Sequence, residues 1–275
     1  MAETPTLNID SVSVSYDGAS DVIENISLKT QSGEFFGLIG LNGAGKTTLI
    51  KSILGLRTQR EGDILIFGKP CTDKQSKQNL AYLPERFDPP WFLTGLEFLR
   101  FSLKLYNQKA DDELFYEYAE KLALDKSALK RRVQTYSKGM RQKLGLLGTV
   151  LTNCKLLILD EPMSGLDPRA RTLVKDMLMN LKSEGRTIFL SSHILADMDE
   201  ICDNVAVLYD GRIKFTGKPA ELKKQTKCEN LERAFWAQLG DVEDHQALSF
   251  IIVIEAIALE GINGLSARVA AILTN

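Results

Sequence analysis

The apolar run Phe35-Phe-Gly-Leu-Ile39 passes without a break into Gly40-Leu-Asn-Gly-Ala-Gly-Lys-Thr-Thr48, and this stretch constrains the fold more than any other. Five residues that are apolar but for Gly37 read as a strand buried on both faces. Beyond the glycines, Leu49, Ile50, Ile53 and Leu54 fall at helical spacing. The join fits G-x-x-x-x-G-K-[ST] in the strand–loop–helix setting that the pattern requires. Its glycines let the backbone curl so that successive amides point inward, and the helix N-terminus adds partial positive charge, so the loop suits phosphate oxygens. Lys46 is then expected to reach the β- and γ-phosphates and the Thr47 hydroxyl to take a magnesium position. Taken without its flanks, the stretch is merely a glycine-rich turn.

A second acidic signal complements the loop. Leu156-Leu-Ile-Leu runs into Asp160-Glu161, so Asp160 stands at the carboxyl end of a strand, where open α/β sheets collect ligands. Asp160 suits magnesium, and Glu161 suits the activation of a water against the γ-phosphate. On its own, an Asp-Glu pair after an apolar run only ends a strand; with the loop it gains meaning.

The rest of the chain fills in an α/β pattern. Leu7–Ser15, Ile26–Lys29, Ile64–Phe67 and Leu80–Leu83 read as strands, as do Thr187–Ser191, Val205–Tyr209 and Arg212–Phe215. Strand, glycine loop and helix in that order imply a parallel sheet with crossover helices. Between Pro84 and Leu151 the texture turns helical. Phe92, Leu96, Leu99, Leu103 and Tyr106 recur at three- and four-residue steps, and Glu113–Leu124 follows. The aromatics of this block (Phe87, Trp91, Phe92, Phe98, Phe101) suit a core or a docking groove, and most are expected in the core.

Other classes are disfavoured. A net charge of −2 gives no electrostatic reason to expect nucleic acid. Cys71, Cys154, Cys202 and Cys228 form no C-x-x-C pair and have only His193 and His245 beside them, which argues against structural zinc and for reduced thiols. The most apolar window, Phe250–Leu259, is interrupted by Glu255 and is far shorter than the ~20 residues of a membrane span. The polar, acidic Met1–Asn8 lacks a signal pattern, so a cytoplasmic location is expected.

Tyr136-Ser-Lys-Gly-Met140, which opens a helical run and ends 20 residues before Asp160, resembles the Leu-Ser-Gly-Gly-Gln signature of ATP-binding-cassette (ABC) proteins. Lys138 stands for a glycine and Met140 for the glutamine, while Ser137 and Gly139, which carry the phosphate contacts in the family, are kept. Read alone, Ser137 is a helix cap. Other elements follow in the family's order. Tyr16 lies where an aromatic ring stacks on adenine, Ser164–Asp167 matches the D-loop of the dimer interface, and His193 matches the histidine that contacts the γ-phosphate. Glu85, in Tyr82-Leu-Pro-Glu85, occupies the place of the Q-loop glutamine; a carboxylate keeps an oxygen ligand for magnesium but loses an amide donor.

The resemblance implies a P-loop NTPase fold. It has a mainly parallel central sheet, an N-terminal antiparallel β subdomain and an inserted helical subdomain at about 86–151. The ATPase domain would span 1–227 and an accessory tail 228–275. It implies ATP and Mg2+ as ligands. Tyr16, Gly40, Asn42, Gly43, Ala44, Gly45, Lys46, Thr47, Thr48, Ser137 and Gly139 would bind nucleotide, and Thr47, Glu85 and Asp160 the metal. Glu161, His193 and Lys46 would carry catalysis. Because the signature of one subunit faces the phosphate loop of the other, the family's partner is a second copy or a similar cassette. The order Leu-Pro-Glu, Tyr-Ser-Lys-Gly-Met and Ser-Ser-His is similar to that of ABC-2 export cassettes, which implies a separate membrane permease and a place on the inner face of the cell membrane. A soluble ABC protein of translation or repair, or a regulatory nucleotide-binding module with little turnover, are the rival readings. In the tail, Leu231, Phe235, Trp236 and Leu239 fit one face of a helix that packs on the main domain or on another subunit.

Overall fold

The computed structural model describes residues 4–240 apart from Asp17 and Ala19. The apolar window 250–259 therefore lies outside the described residues. In chain order the strands are β1 (Leu7–Ser15), β2 (Asp21–Thr30), β3 (Phe35–Ile39), β4 (Glu61–Ile66), β5 (Lys69–Pro70), β6 (Leu80–Leu83), β7 (Leu156–Asp160), β8 (Thr187–Ser192), β9 (Asn204–Tyr209) and β10 (Arg212–Gly217). The helices are α1 (Lys46–Ile53), α2 (Gly95–Leu105), α3 (Asp112–Lys121), α4 (Lys138–Val150), α5 (Pro168–Ser183), α6 (Leu195–Ile201), α7 (Pro219–Thr226) and α8 (Leu231–Leu239).

The strands form an antiparallel sheet in the order β2-β1-β4-β5 and a larger one in the order β10-β9-β3-β8-β7-β6. The larger sheet is parallel except for β10, which runs back along β9. This is the α/β architecture expected from the sequence, with the antiparallel sheet at the N-terminal side. Strand β3 is buried at every position, as its unbroken apolar run requires. Its alternate side chains serve different cores. Phe35 and Ile39 join the cluster that packs against α2 to α6, whereas Phe36 and Leu38 join the one shared with α1 and the antiparallel sheet. Gly37 admits α6: a methyl there would lie 2.7 Å from Met198 Cε and 2.8 Å from Cys202 Sγ.

The helical block departs from expectation in two places. Helix α2 begins at Gly95 rather than near Phe92, because Thr94 caps it and exchanges hydrogen bonds with Glu97, which leaves Phe92 outside the helix. The aromatics of the block are also less buried than expected. Phe98 is in the core and Phe87 packs against it, but Trp91, Phe92 and Phe101 are exposed at 64%, 56% and 49%. Phe101 sits on the solvent side of an amphipathic helix, and the cap turns Trp91 and Phe92 out of it.

Helix α8 forms over the predicted residues and lies on the main body. Leu231 and Phe235 are buried, and Trp236 and Leu239 pack beside them against the core that includes Leu222 of α7 and Ile201 of α6. Truncating so large a buried side chain removes its transfer energy and leaves a cavity. Phe235→Ala is accordingly expected to lose about 3–5 kcal/mol in urea denaturation. A loss below about 1 kcal/mol would mean that α8 is not part of the cooperative unit.

Candidate functional site

The parallel register assembles the site. Ile39 of β3 pairs with Ser192 of β8, and Ser191 of β8 pairs with Asp160 of β7. The carboxyl ends of β3, β8 and β7 therefore stand level, with the glycine loop leaving one, Asp160-Glu161 leaving another and His193 following the strand between them. A cleft of about 580 Å³ opens there. It is lined by Asn42, Gly43, Gly45, Lys46, Thr47 and Thr48 from the loop and α1, and by Glu85, Glu161, Ser164 and His193 from other segments.

Gly40 begins the loop where only glycine fits. A methyl on it would meet the backbone oxygen of Leu208, on β9, at 2.5 Å. The loop then closes on itself, with the Ala44 amide donating to the Leu41 carbonyl and Lys46 Nζ to the Gly40 carbonyl at 2.7 Å. Lys46 is nearly buried, and its ammonium also lies 3.4 Å from Glu161 Oε1. The other carboxylate oxygen of Glu161 is 2.8 Å from His193 Nδ1, and with the proton on that nitrogen the ring donates to the carboxylate. Glu161 is buried, its Oε1 has no aligned hydrogen-bond donor, and its backbone is left-handed at φ 49. A non-glycine residue held in that region at a cleft is the kind of strain that functional sites retain.

Asp160 is equally buried. It accepts from the Thr47 hydroxyl at 3.1 Å and the Ser191 hydroxyl at 2.5 Å. Burial pushes its carboxyl above the usual carboxylate range, the two hydroxyl donors pull the other way, and the charges of Glu161 and Glu85 add to the rise. Tyr82, on neighbouring β6, is pushed up to about 12 by burial and by the same carboxylates of Asp160 and Glu85. Ser191 is a site residue that sequence reasoning passed over, since it served only to mark the approach to His193. Its hydroxyl donates to Asp160 and accepts from the Glu161 amide at 3.1 Å, so one side chain orients both acids. Only the β7–β8 register reveals this.

The donor set suits a hard divalent cation. A hydroxyl and a buried carboxylate stand together at Thr47 and Asp160, with Glu85 on the same cleft wall. The loop amides, Lys46 and the helix end complement an anionic phosphate chain.

Six expected ligands do not line the cleft: Gly40 and Ala44 belong to the loop that does, Asp160 meets it through Thr47, and Ser137, Gly139 and Tyr16 lie apart. Ser137 and Gly139 start α4, where Ser137 is exposed and its oxygen accepts from the Met140 amide. Neither lines the cleft of the same chain. The helix is nonetheless tied to the acids, since the buried Gln142 amide donates to the Pro162 carbonyl at 3.1 Å. Tyr16 also stands off the wall but is joined to it through Thr48, 3.1 Å from its hydroxyl. No helix among the described residues is long and apolar enough to cross a membrane.

A phosphate loop, a strand ending in paired acids and a capped helix facing outward define an ATP-binding-cassette domain. The chain belongs to the ABC transporter family, whose model matches residues 23–164. It is 41% identical over 203 residues to an uncharacterised ABC transporter ATP-binding protein of Synechocystis, covering 73% of this chain and 57% of that one. The chain thus spans less than two thirds of that relative's length. It is 36% identical over 226 residues to the fluoroquinolones export ATP-binding protein of Mycobacterium tuberculosis, covering 80% of this chain and 73% of that protein. A solved ATP-binding subunit of an ABC transporter superposes with a TM-score of 0.79 at 32% identity, over 86% of this chain and all of that one.

Forcing a methyl against a backbone carbonyl shifts the loop or β9. Gly40→Ala is therefore expected to cost roughly 1–3 kcal/mol in urea denaturation without nucleotide, more than Gly139→Ala, whose methyl meets only Leu166 Cδ2 at an ordinary 3.6 Å.

Proposed function

We propose that the chain is the ATP-hydrolysing subunit of a transporter, working as a dimer of cassettes on a separate membrane permease and driving export. The observation that carries the reading is the grouping of Lys46, Thr47, Asp160, Glu161 and His193 around one cleft, with Ser137 turned away from it. Export rests on the similarity to the named export protein and on the order of motifs along the chain.

Phosphoryl transfer needs little covalent help from the protein and is accelerated mainly by positioning and charge. Magnesium held by Thr47, Asp160 and Glu85 would supply positive charge to the phosphoryl oxygens. Lys46 and the loop amides bind and orient the phosphate chain. Glu161 is the general base, or the group that orients the attacking water. As the structure stands, both its oxygens are engaged, one near Lys46 and the other by His193. A γ-phosphate would compete for Lys46 and for the imidazole, freeing the carboxylate for water only when nucleotide is present. This coupling suits a motor that should not idle.

Ser137 and Gly139 are the groups that a partner chain would present to the same nucleotide. An ATP gripped by the loop of one chain and α4 of another holds the dimer closed, and hydrolysis releases it. Glu161→Gln should trap this closed state. Size-exclusion chromatography of the variant with ATP is expected to show a dimer that the parent does not accumulate, and its steady-state ATPase rate should fall at least about 100-fold. Turnover at the parental rate would remove Glu161 from its role and favour a different water-positioning group.

The permease contact is proposed at Trp91 and Phe92. The strip bearing them is hydrogen-bonded to the segment that leads into Ser137. The Gln134 amide donates to the Trp91 carbonyl at 3.1 Å, the Val133 amide to the Leu93 carbonyl at 2.8 Å, and the Gly95 amide to the Arg131 carbonyl at 3.3 Å. A force on the exposed rings would thus reach the phosphate-contacting serine through backbone bonds. The Trp91→Ala, Phe92→Ala double variant is expected to bind ATP normally while losing co-purification with a multi-span membrane protein. Unchanged co-purification would put the docking surface elsewhere.

A further inference from the structure

Helix α1 holds Tyr16 from both of its ends. Near its start, Thr48 Oγ1 lies 3.1 Å from the Tyr16 hydroxyl. Just beyond its finish, the guanidinium of Arg57 lies 3.7 Å from the centre of the Tyr16 ring, well inside cation–π range. The way the helix ends puts Arg57 there. Gly55 takes a left-handed conformation at φ 63, its amide returns to the Ser52 carbonyl, and the Leu56 amide returns to that of Lys51 at 2.8 Å. The Arg57 amide shares the Lys51 carbonyl. The side chain is then carried back over the ring, with its Nε buried and without a hydrogen-bond acceptor among the described residues. The negative face of the phenol ring is what offsets that desolvation.

The ring is therefore covered on one face and pinned at its hydroxyl, yet Tyr16 remains 54% exposed. What stays open is the opposite face, on a side chain tied to the cleft wall through Thr48. We propose that Arg57 is a positioning residue for the nucleotide base: it clamps Tyr16 so that the free face of the ring forms a fixed platform for a purine. The inference rests on the ATP-binding reading above. The guanidinium, the phenol ring and the base would stack in that order, so Arg57 never touches the nucleotide. Its contribution is to hold the ring in place beforehand, which lowers the ordering cost of binding. The helix that follows the loop also holds the platform, so the positions of phosphates and base are tied through α1.

The distinguishing consequence is that Arg57 serves the base and not the phosphates. Calorimetric titration of the full chain with magnesium present should show that Arg57→Ala weakens ATP and ADP alike, by about two- to ten-fold, and leaves inorganic tripolyphosphate unchanged. Arg57→Lys, which keeps a cation over the ring, should recover part of the loss. In a Tyr16→Ala background, Arg57→Ala should add nothing further. An equal fall in tripolyphosphate affinity would overturn the proposal, because Arg57 would then act on phosphate or on the fold. Unchanged ATP affinity, or a full effect without Tyr16, would overturn it as well. If the parent chain bound neither ATP nor tripolyphosphate, the nucleotide reading itself would fall, an outcome distinct from a silent Arg57→Ala in a chain that binds both.

Discussion

The parallel register of β3, β8 and β7 is the constraint on which the site depends, because it sets the heights at which the chain may leave the sheet. With Ile39 level with Ser192 and Asp160 level with Ser191, the glycine loop and the paired acids face each other across the end of β8. A slip of one residue would turn each side chain to the other face of the sheet. The apolar cores on both faces prevent the slip, since β3, β7 and β8 are buried along their whole lengths. Hydrophobic packing far from the cleft thus fixes the polar geometry inside it.

That geometry gathers like charges in a place that disfavours them. Asp160 and Glu161 are both buried, and Glu85 stands on the same wall. Hydroxyl donors from Thr47 and Ser191, the ammonium of Lys46 and the imidazole of His193 offset the cost. The balance is incomplete, since burial, with the charges of Glu161 and Glu85, still holds the Asp160 carboxyl above the usual range. Such excess negative charge is what a bound cation would relieve.

Two helices connect this centre to other surfaces. Helix α1 joins the phosphate loop to Tyr16 through Thr48 and the Arg57 turn. Helix α4 joins the outward-facing Ser137 to the loop after the acids through Gln142. The exposed Trp91 and Phe92 reach the same serine through the backbone bonds of residues 131–136. In the proposed transporter, events at the cleft, at a partner cassette and at a docking surface would meet on a small number of rigid elements.

The amino-acid sequence alone determined the strand, the phosphate loop and the acids, because each is written in adjacent residues whose pattern has one physical meaning. The apolar run of β3 dictated a buried strand, and Gly40 to Thr48 dictated the curl of the backbone. The predicted strands and α8 all formed, although β2 begins at Asp21 and β4 at Glu61, ahead of the predicted Ile26 and Ile64. Sequence could not decide which aromatics of the helical block are buried, since Phe101 differs from Phe98 only in the side of α2 it faces, and Trp91 and Phe92 are left outside that helix by the Thr94 cap. Nor could it single out Ser191 or Arg57, whose partners lie 31 and 41 positions away along the chain. Those contacts exist only because sheet register and a helix end bring distant segments within a few ångströms, and tertiary packing alone supplies that.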